Sequence, residues 1–576
     1  MDYGAFLRQQ DIWRTGWAET PLHIVPLPKD RPMPRLARLR FLPERLRAHA
    51  NQIIAQLAPP ASVPLYYGLL TGTRHAIPTT VAKQFQTTGA THLLAISGMN
   101  LGLVTLLFAG LATWLLSRSP WLLLHLPAKK IALLLALPPL LGYAAITGLQ
   151  PPAVRSLIMV LVFMAAIFFD RQWCSLNNLA IAALLILLLE PASLLGASFQ
   201  LSFAATAAII LAYRLRFPLL LATEGNLLMR SRAWLTNGIT ISVIATLATA
   251  PLCLFYFNQI SLLSPLTTLL LTPLLCFWAI PLGLIGLALA APLPALASHL
   301  FALGAWGIAL ALTVVANLAA LPWASFHLPT PTPVEVAAAL AALLALLAWQ
   351  HGKPARFTAG TLLLLLIVSP GIRHAIRLAD PASRVTFLDV GQGNAVVLEL
   401  PHGKTVLVDG GGMENERFNV GERLIAPFLW GRGIATLDAI VVSHPHTDHW
   451  NGLPFLLEHF RPTILWINGD RQGESDYAAL LDQAQVLGTT IKTPQAGEVL
   501  LQSEAASLRC LANLHLTPSA PPPSKKGKSK RQRANANNQS LVLQFRHSTQ
   551  ACLLPGDIDA VHEKLVVQQG KIESAV

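Results

Sequence analysis

The chain has 576 residues, of which 53% are hydrophobic and only 12% charged, where a soluble protein carries about 25% charged residues. That is too little charge to cover a globule of this mass in water, and it excludes a soluble multi-domain enzyme for most of the chain. The balance of 42 Lys+Arg against 29 Asp+Glu, formally +13, is in a membrane protein partly an orientation signal and does not by itself mark nucleic-acid binding. Five cysteines without a CxxC pair supply neither a disulfide framework nor a thiolate zinc site.

In chain order, composition separates three regions. Residues 1–58 are polar and basic, and Pro26, Pro28, Pro32 and Pro34 break any long helix there. Met1–Gln10 lacks a secretory signal pattern, so insertion falls to the first internal span. Residues 59–370 form the membrane block, with thirteen Asp, Glu, Lys or Arg between Ala90 and Gln350, nine of them basic. At roughly 17–25 apolar residues per crossing, the expected spans are 92–116, 131–148, 153–169, 177–189, 199–213, 236–256, 299–320, 335–349 and 358–370. Pro265, Pro273 and Pro281 interrupt 262–291, which reads as one broken crossing or several. The short spans point to broken or re-entrant helices, tolerated where they line a cavity or are buried in protein.

Basic residues recur in alternate loops: Arg118/Lys129/Lys130, Arg171, Arg214–Arg232 and Lys353/Arg356. Placing these in the cytoplasm satisfies the positive-inside rule. It requires an odd number of crossings in 262–291 and leaves the soluble domain, 384–576, outside the cell.

That domain opens as strand–turn–strand: Arg384 onward, a turn at Gly391–Gly393, then Ala395–Leu400 and Thr405–Val408 ending in Asp409-Gly-Gly-Gly412. A further strand, Ala439–Val442, delivers Ser443-His-Pro-His-Thr-Asp-His449. In this HxHxDH run His444 and His446 alternate toward one metal, while Asp448 and His449 turn toward a second. Imidazoles with a carboxylate suit zinc or manganese, and two such ions activate water and clamp a phosphoryl oxygen. Asp448 and His449 are also the expected catalytic groups. Low-complexity sequence follows at 520–540, with six cations (Lys525, Lys526, Lys528, Lys530, Arg531, Arg533) in nine residues. Such a run is a solvated loop or tracks a DNA backbone.

Polar residues stand out within the apolar block: His92, Ser97, Asn100, Gln150, Arg155, Gln200 and Ser202. Such groups face a bundle interior or a wet cavity, or they bond neighbouring helices. Arg155 is the costliest, and an anionic strand in transit would need such a partner.

The HxHxDH run resembles the metallo-β-lactamase superfamily. Gly89–Leu103, Gly148–Met159, Ala197–Phe203 and Phe387–Ala395 are similar to motifs of the ComEC family of DNA-uptake channels, and they occur in family order from about residue 60 onward. The resemblance implies a polytopic α-helical membrane bundle followed by an αβ/βα metallo-β-lactamase-like domain. It implies Asp409 and Asp389 as supports behind the histidines, Asp557 in Leu553-Leu-Pro-Gly-Asp557 as the residue bridging two metals, and His515 as a further ligand. The implied DNA path runs past His92, Ser97, Asn100, Arg155 and Gln200. Asn100 stands where the family usually has His, and Asn394 where it usually has Asp. Relative to the family the chain reads as short at both ends: Met1–Trp17 resembles only the tail of an OB-fold-like domain, and the last His after Asp557 is not reached.

The implied function is an inner-membrane channel that takes up one DNA strand in natural transformation while a two-metal nuclease degrades the other. A DNA receptor, a cytoplasmic translocase and a second copy of the chain are the implied partners. Two other classes remain: a non-catalytic DNA-binding or transport protein with a degenerate metal site, and a membrane-anchored metallo-hydrolase of envelope substrates.

Overall fold

A computed structural model describes residues 41–568 apart from 95, 97, 126, 172–174, 216, 218–226, 392, 413–417, 472–475 and 517–536. Among these residues seven helices are long and apolar enough to cross a membrane: Gly98–Leu116, Ala128–Ile146, Pro151–Phe168, Met229–Phe257, Ser264–Leu289, Pro294–Ala319 and Lys353–Ala379. Leu176–Leu189 and Pro333–Leu347 are apolar but shorter, and Ala197–Arg214 is an 18-residue helix beside them.

The 262–291 stretch is a single run. Ser264–Thr272 continues through a π-helical segment, Pro273–Ala279, into Ile280–Leu289. Pro273 has no N–H to donate, and the wider π turn absorbs the missing bond without ending the helix. The run, Ser264–Leu289, is long and apolar enough for one crossing. Helix Leu42–Leu57 also belongs to the bundle: Ile54 shares a buried cluster with Tyr66, Leu271, Cys276 and Phe301. The Tyr66 hydroxyl donates to the Phe301 carbonyl at 2.8 Å, which satisfies the one polar atom of a fully buried ring.

A two-stranded antiparallel sheet, β1 (Gln259–Ser261) with β2 (Ser325–His327), closes one end of the bundle. Beyond it, the C-terminal domain holds two sheets. The first has β3 (Arg384–Phe387), β4 (Val396–Glu399), β5 (Thr405–Val408), β6 (Ala439–Val441), β7 (Ile464–Trp466) and β8 (Thr490–Lys492) in that order. It begins antiparallel and becomes parallel from β5 onward. The second holds β9 (Val499–Ser503), β10 (Ala506–Asn513), β11 (Leu541–His547) and β12 (Gln550–Leu554), ordered β12-β11-β10-β9.

The strands read as unbroken apolar runs because both faces of the first sheet are covered. Val397, Leu407, Ile440 and Leu465 face a core made with helices Ala426–Gly431, Leu453–Phe460 and Tyr477–Val486. The alternate residues Val396, Leu398, Val406, Val408 and Val441 face the second sheet through Leu508, Leu543 and Phe545. This helix–sheet–sheet stack with a mixed first sheet is the expected metallo-β-lactamase-like domain.

Bundle and domain are bolted together around Thr330. Its N–H donates to the Trp430 carbonyl at 3.1 Å, its hydroxyl accepts from Asn258 at 2.7 Å, and its carbonyl accepts from Arg373 at 3.0 Å. The His327 ring stacks on Trp430 at 5.3 Å and meets His459 edge-on at 4.5 Å. Arg377, in the last turn of helix Lys353–Ala379, donates to the Gly403 carbonyl at 2.7 Å and to the Thr405 hydroxyl at the head of β5. A charged hydrogen bond of this kind contributes about 1.5–3 kcal/mol. Arg377→Ala is therefore expected to raise local opening at 380–383 about tenfold, read as faster protease release of the C-terminal domain. An unchanged cleavage rate would refute this role of Arg377.

Candidate metal centre

Parallel pairing of β5 with β6 sets Val408 beside Val441, so both strands deliver their next residues to one place. After β5 comes Asp409, in the left-handed region at φ 59° and buried. Its N–H donates to the Val441 carbonyl at 2.8 Å, which ties the two strand ends together. After β6 comes the Ser443–His449 loop. Asp409 Oδ1 accepts from the Ser443 N–H at 2.7 Å, and Oδ2 accepts from the Ser443 hydroxyl at 2.8 Å. The same Oδ2 lies 2.9 Å from His449 Nδ1. One carboxylate thereby fixes the loop and orients the ring.

With Nδ1 held by Asp409, His449 turns Nε2 inward. That nitrogen is buried without a well-formed hydrogen bond, and Asp557 Oδ2, on the turn after β12, lies 3.4 Å away. Burial opposes a charge on His449, but the carboxylates of Asp409 and Asp557 on its two sides outweigh it and hold the pKa up at about 10. His444 is pushed the other way, to about 4, by burial and by the neighbouring His449. The Asp557 carboxyl sits below its ordinary value because it bonds and faces His449.

His444 is wholly buried. Its Nδ1 lies 3.1 Å from the Ser443 hydroxyl and 3.2 Å from the Ser540 hydroxyl, and its Nε2 lies 3.1 Å from His446 Nδ1. The second sheet is registered on the loop by the Leu541 N–H, which donates to the Ser443 carbonyl at 2.9 Å. Two glycines permit the close fit. Any side chain at Gly556, φ 63°, would meet Ser540 and Ser443; any at Gly393, φ 79°, would collide with the Asp448 backbone.

His444, His449 and Asp557 thus offer three ligand atoms within 4.8 Å of one another. Two imidazoles and a carboxylate converging on one point form a donor set that fits a divalent cation. His446 touches the set through His444, and Asp448 is half-buried on the adjoining short helix Thr447–Trp450.

The remaining expected site residues are placed differently. His515 is not on a strand but in the turn after β10, with Nδ1 3.1 Å from Gln539 Oε1, and is outside the close triad. Asp389 is exposed and its Oδ1 accepts from the Gly391 N–H at 3.3 Å, shaping the entry turn rather than touching a histidine. In the bundle, Arg155 is half-buried and bonds Ser198, while Gln200 donates to the Leu194 carbonyl at 2.9 Å. Asn100 is buried against the Tyr143 hydroxyl, and His92 is exposed with Nδ1 3.2 Å from the Gly89 carbonyl. Ser97 and the cations Lys525–Arg533 lie outside the described residues. Sequence reasoning missed Ser540 and the contact of Asn394, whose Nδ2 donates to Asp557 Oδ1 at 3.3 Å. The polar Asn537-Asn-Gln-Ser540 run before β11 was the available signal for the first.

Residues 69–353 match the family model described as Competence protein, and residues 388–496 match that of the Metallo-beta-lactamase superfamily. The chain carries a competence protein domain followed by a metallo-beta-lactamase domain. Its relatives include ComE operon protein 3 of Bacillus subtilis (strain 168), 27% identical over 540 residues, covering 91% of this chain and 64% of that protein. YcaI of Escherichia coli (strain K12) is 30% identical over 518 residues, covering 87% and 60%. Competence protein ComA of Neisseria gonorrhoeae is 30% identical over 395 residues, covering 68% and 52%. The chain therefore spans between about half and just under two thirds of the length of these relatives. With its seven apolar helices the chain is a multi-pass membrane protein. Asp557 lies beyond the matched lactamase segment, and the fold is what brings it to the histidines.

Loss of the orienting carboxylate behind a ligating histidine costs about 10–100-fold in metal affinity. Asp409→Asn is expected to weaken zinc binding by that factor, measured by competition with a chromogenic chelator. Affinity equal to the wild type would show that Asp409 does not position His449.

Proposed function

We propose that this protein moves single-stranded DNA across a bacterial inner membrane in transformation, with the C-terminal domain cleaving phosphodiesters of the strand left outside. The observation that carries the reading is the His444–His449–Asp557 triad, oriented by Asp409, on a domain fused to a competence-type bundle. The distribution of charge supports the orientation. Arg118, Lys129, Lys130, Arg171, Arg214, Arg230, Arg232 and Lys353 gather at the ends of the bundle helices away from the C-terminal domain. The positive-inside rule assigns that end to the cytoplasm and the domain to the outer side.

A zinc or manganese ion held by His444, His449 and Asp557, with His446 and Asp448 as donors to a second, would polarise the phosphoryl oxygen and acidify water. The chain's own residues do the rest. Asp409 keeps the proton of His449 on Nδ1, so that Nε2 is the ligating atom. Ser540 and Ser443 hold the His444 ring at its Nδ1 edge. Asp448, half-buried on its short helix, accepts the proton of the attacking water. A DNA receptor on the outer side, a cytoplasmic translocase and a second copy of the chain are the partners such a role calls for.

A non-catalytic reading, in which the domain only binds DNA, is favoured by one observation. The Asn394 amide occupies an Asp557 oxygen where a carboxylate would have added charge for a second metal. Incubating the full chain in detergent with labelled single-stranded DNA and zinc or manganese separates the two. Cleavage that stops with chelator and falls at least about 10²-fold in His449→Ala is expected of the enzyme. Binding without metal-dependent cleavage would leave only the binding module. Transformation unaffected by loss of the gene would overturn the DNA reading altogether.

A further inference from the structure

The bundle contains a polar cavity that the metal centre does not use. It measures about 590 Å³ and lies between helix Leu42–Leu57, the turn after the π segment Tyr67–Thr71, and the start of helix Pro151–Phe168. Arg47, Asn51, Thr73, Arg74, His75 and Gln150 line it, with Glu44 the one acid among its described lining residues. Helix Ala128–Ile146 starts beside Lys129 and runs away from it, so its exit toward Gln150 is at the end opposite the basic loops. That is the end at which helix Lys353–Ala379 passes into the C-terminal domain.

The walls of the cavity are built by specific bonds. The Thr71 hydroxyl, fully buried, donates to Asn51 Oδ1 at 2.7 Å, and the Tyr67 hydroxyl donates to the Asn51 carbonyl at 3.2 Å. Fixed in this way, Asn51 donates through Nδ2 to the Thr73 hydroxyl at 3.2 Å. Gly72 ends the π turn at φ 75°, and its carbonyl accepts from Gln150 Nε2 at 3.4 Å. Arg47 lies against Gly148, φ 73°, so closely that any side chain there would collide with the guanidinium. Gly148 and Gln150, which open one of the motifs singled out in the sequence, therefore shape this cavity. Among the described residues neither Arg47 nor Arg74 makes an ion pair. Two guanidinium groups, backed by hydroxyl and amide groups in fixed positions, suit a phosphate oxygen better than any neutral ligand.

We propose that this cavity is a phosphodiester-binding port, where the backbone of the incoming DNA strand first engages the bundle. The inference rests on the DNA-transport reading and goes beyond it in assigning a site. The port captures the backbone through its guanidinium groups; its described lining residues include no Phe, Tyr or Trp on which bases would stack.

The test uses the full chain in detergent with chelator present, and fluorescein-labelled dT12 followed by anisotropy across a salt series. Arg47→Gln/Arg74→Gln is expected to weaken binding about tenfold and to flatten the log–log salt slope by about 1.4, near 0.7 for each phosphate no longer neutralised. Arg74 is exposed, so Arg74→Gln alone leaves the fold intact and flattens the slope by about 0.7. Arg118→Gln/Lys353→Gln, at the other end of the bundle, serves as the control and keeps wild-type binding. If the wild type binds dT12 and both cavity variants bind equally well, the port is overturned while the transport reading stands. If the wild type does not bind dT12, the transport reading fails and the port with it. Variants that shed co-purifying phosphatidylglycerol yet bind dT12 normally would assign the cavity to a lipid headgroup and overturn the port.

Discussion

The C-terminal domain depends on one carboxylate. Asp409 is buried, in a backbone conformation that few side chains adopt, and both of its carboxylate oxygens bond one loop. It joins β5 to β6 through its backbone and joins both to the histidine loop through its side chain. An ionised carboxylate is costly to bury unless its oxygens are satisfied. Here two donors from Ser443 and the ring of His449 satisfy them, and that same satisfaction aims His449 Nε2. Stability and ligand geometry are therefore not separable at this position. The loop keeps its shape because both Asp409 oxygens bind it, and the same bonds aim the His449 ring.

The same coupling extends to the second sheet. Leu541 is hydrogen-bonded to the Ser443 carbonyl, Ser540 reaches the His444 ring, and Gly556 leaves room for both before the chain turns into Asp557. The three candidate ligands come from residues 444 to 557, yet they sit within one hydrogen-bonded frame. Assembly of the triad thus reports docking of the two sheets, and disturbing the inter-sheet core around Leu508, Leu543 and Phe545 moves Asp557 away from the histidines.

How much of this was legible in the sequence depended on whether the chemistry was local. The HxHxDH loop, Asp409 after an apolar strand, and the membrane block were readable because each is a pattern within a few residues. The interrupted stretch 262–291 was ambiguous because three prolines ordinarily end helices; only the π segment at Pro273–Ala279 shows how a single crossing survives them. An apolar run precedes His515, and that pattern alone does not mark the turn in which it sits. The Asn513 side chain instead accepts from the His515 N–H and turns the chain there. Ser540 and Asn394 carry no motif of their own, and their meaning comes from partners 96 and 163 residues away.

The bundle shows a similar division between its two ends. One end is cationic, with basic residues at its helix ends. The other holds the irregular structure: the π turn at Tyr67–Thr71, the 3₁₀ turns Thr91–Leu93 and Pro191–Leu195, the paired β1 and β2, and the bonds from Arg155 and Gln200 to the loop before helix Ala197–Arg214 and its first turn. Irregular backbone is costly in lipid unless protein or water satisfies it. Its concentration at one end, beside the domain that Thr330 and Arg377 hold in place, marks where polar groups and water meet the bundle. A polyanion approaching from that side meets guanidinium groups before it meets apolar helices. Anything it leaves behind lies on the same side as the histidine loop. Under the proposed function, binding and cleavage would share one side of the bundle without sharing residues, which is the arrangement needed to keep one strand and degrade another.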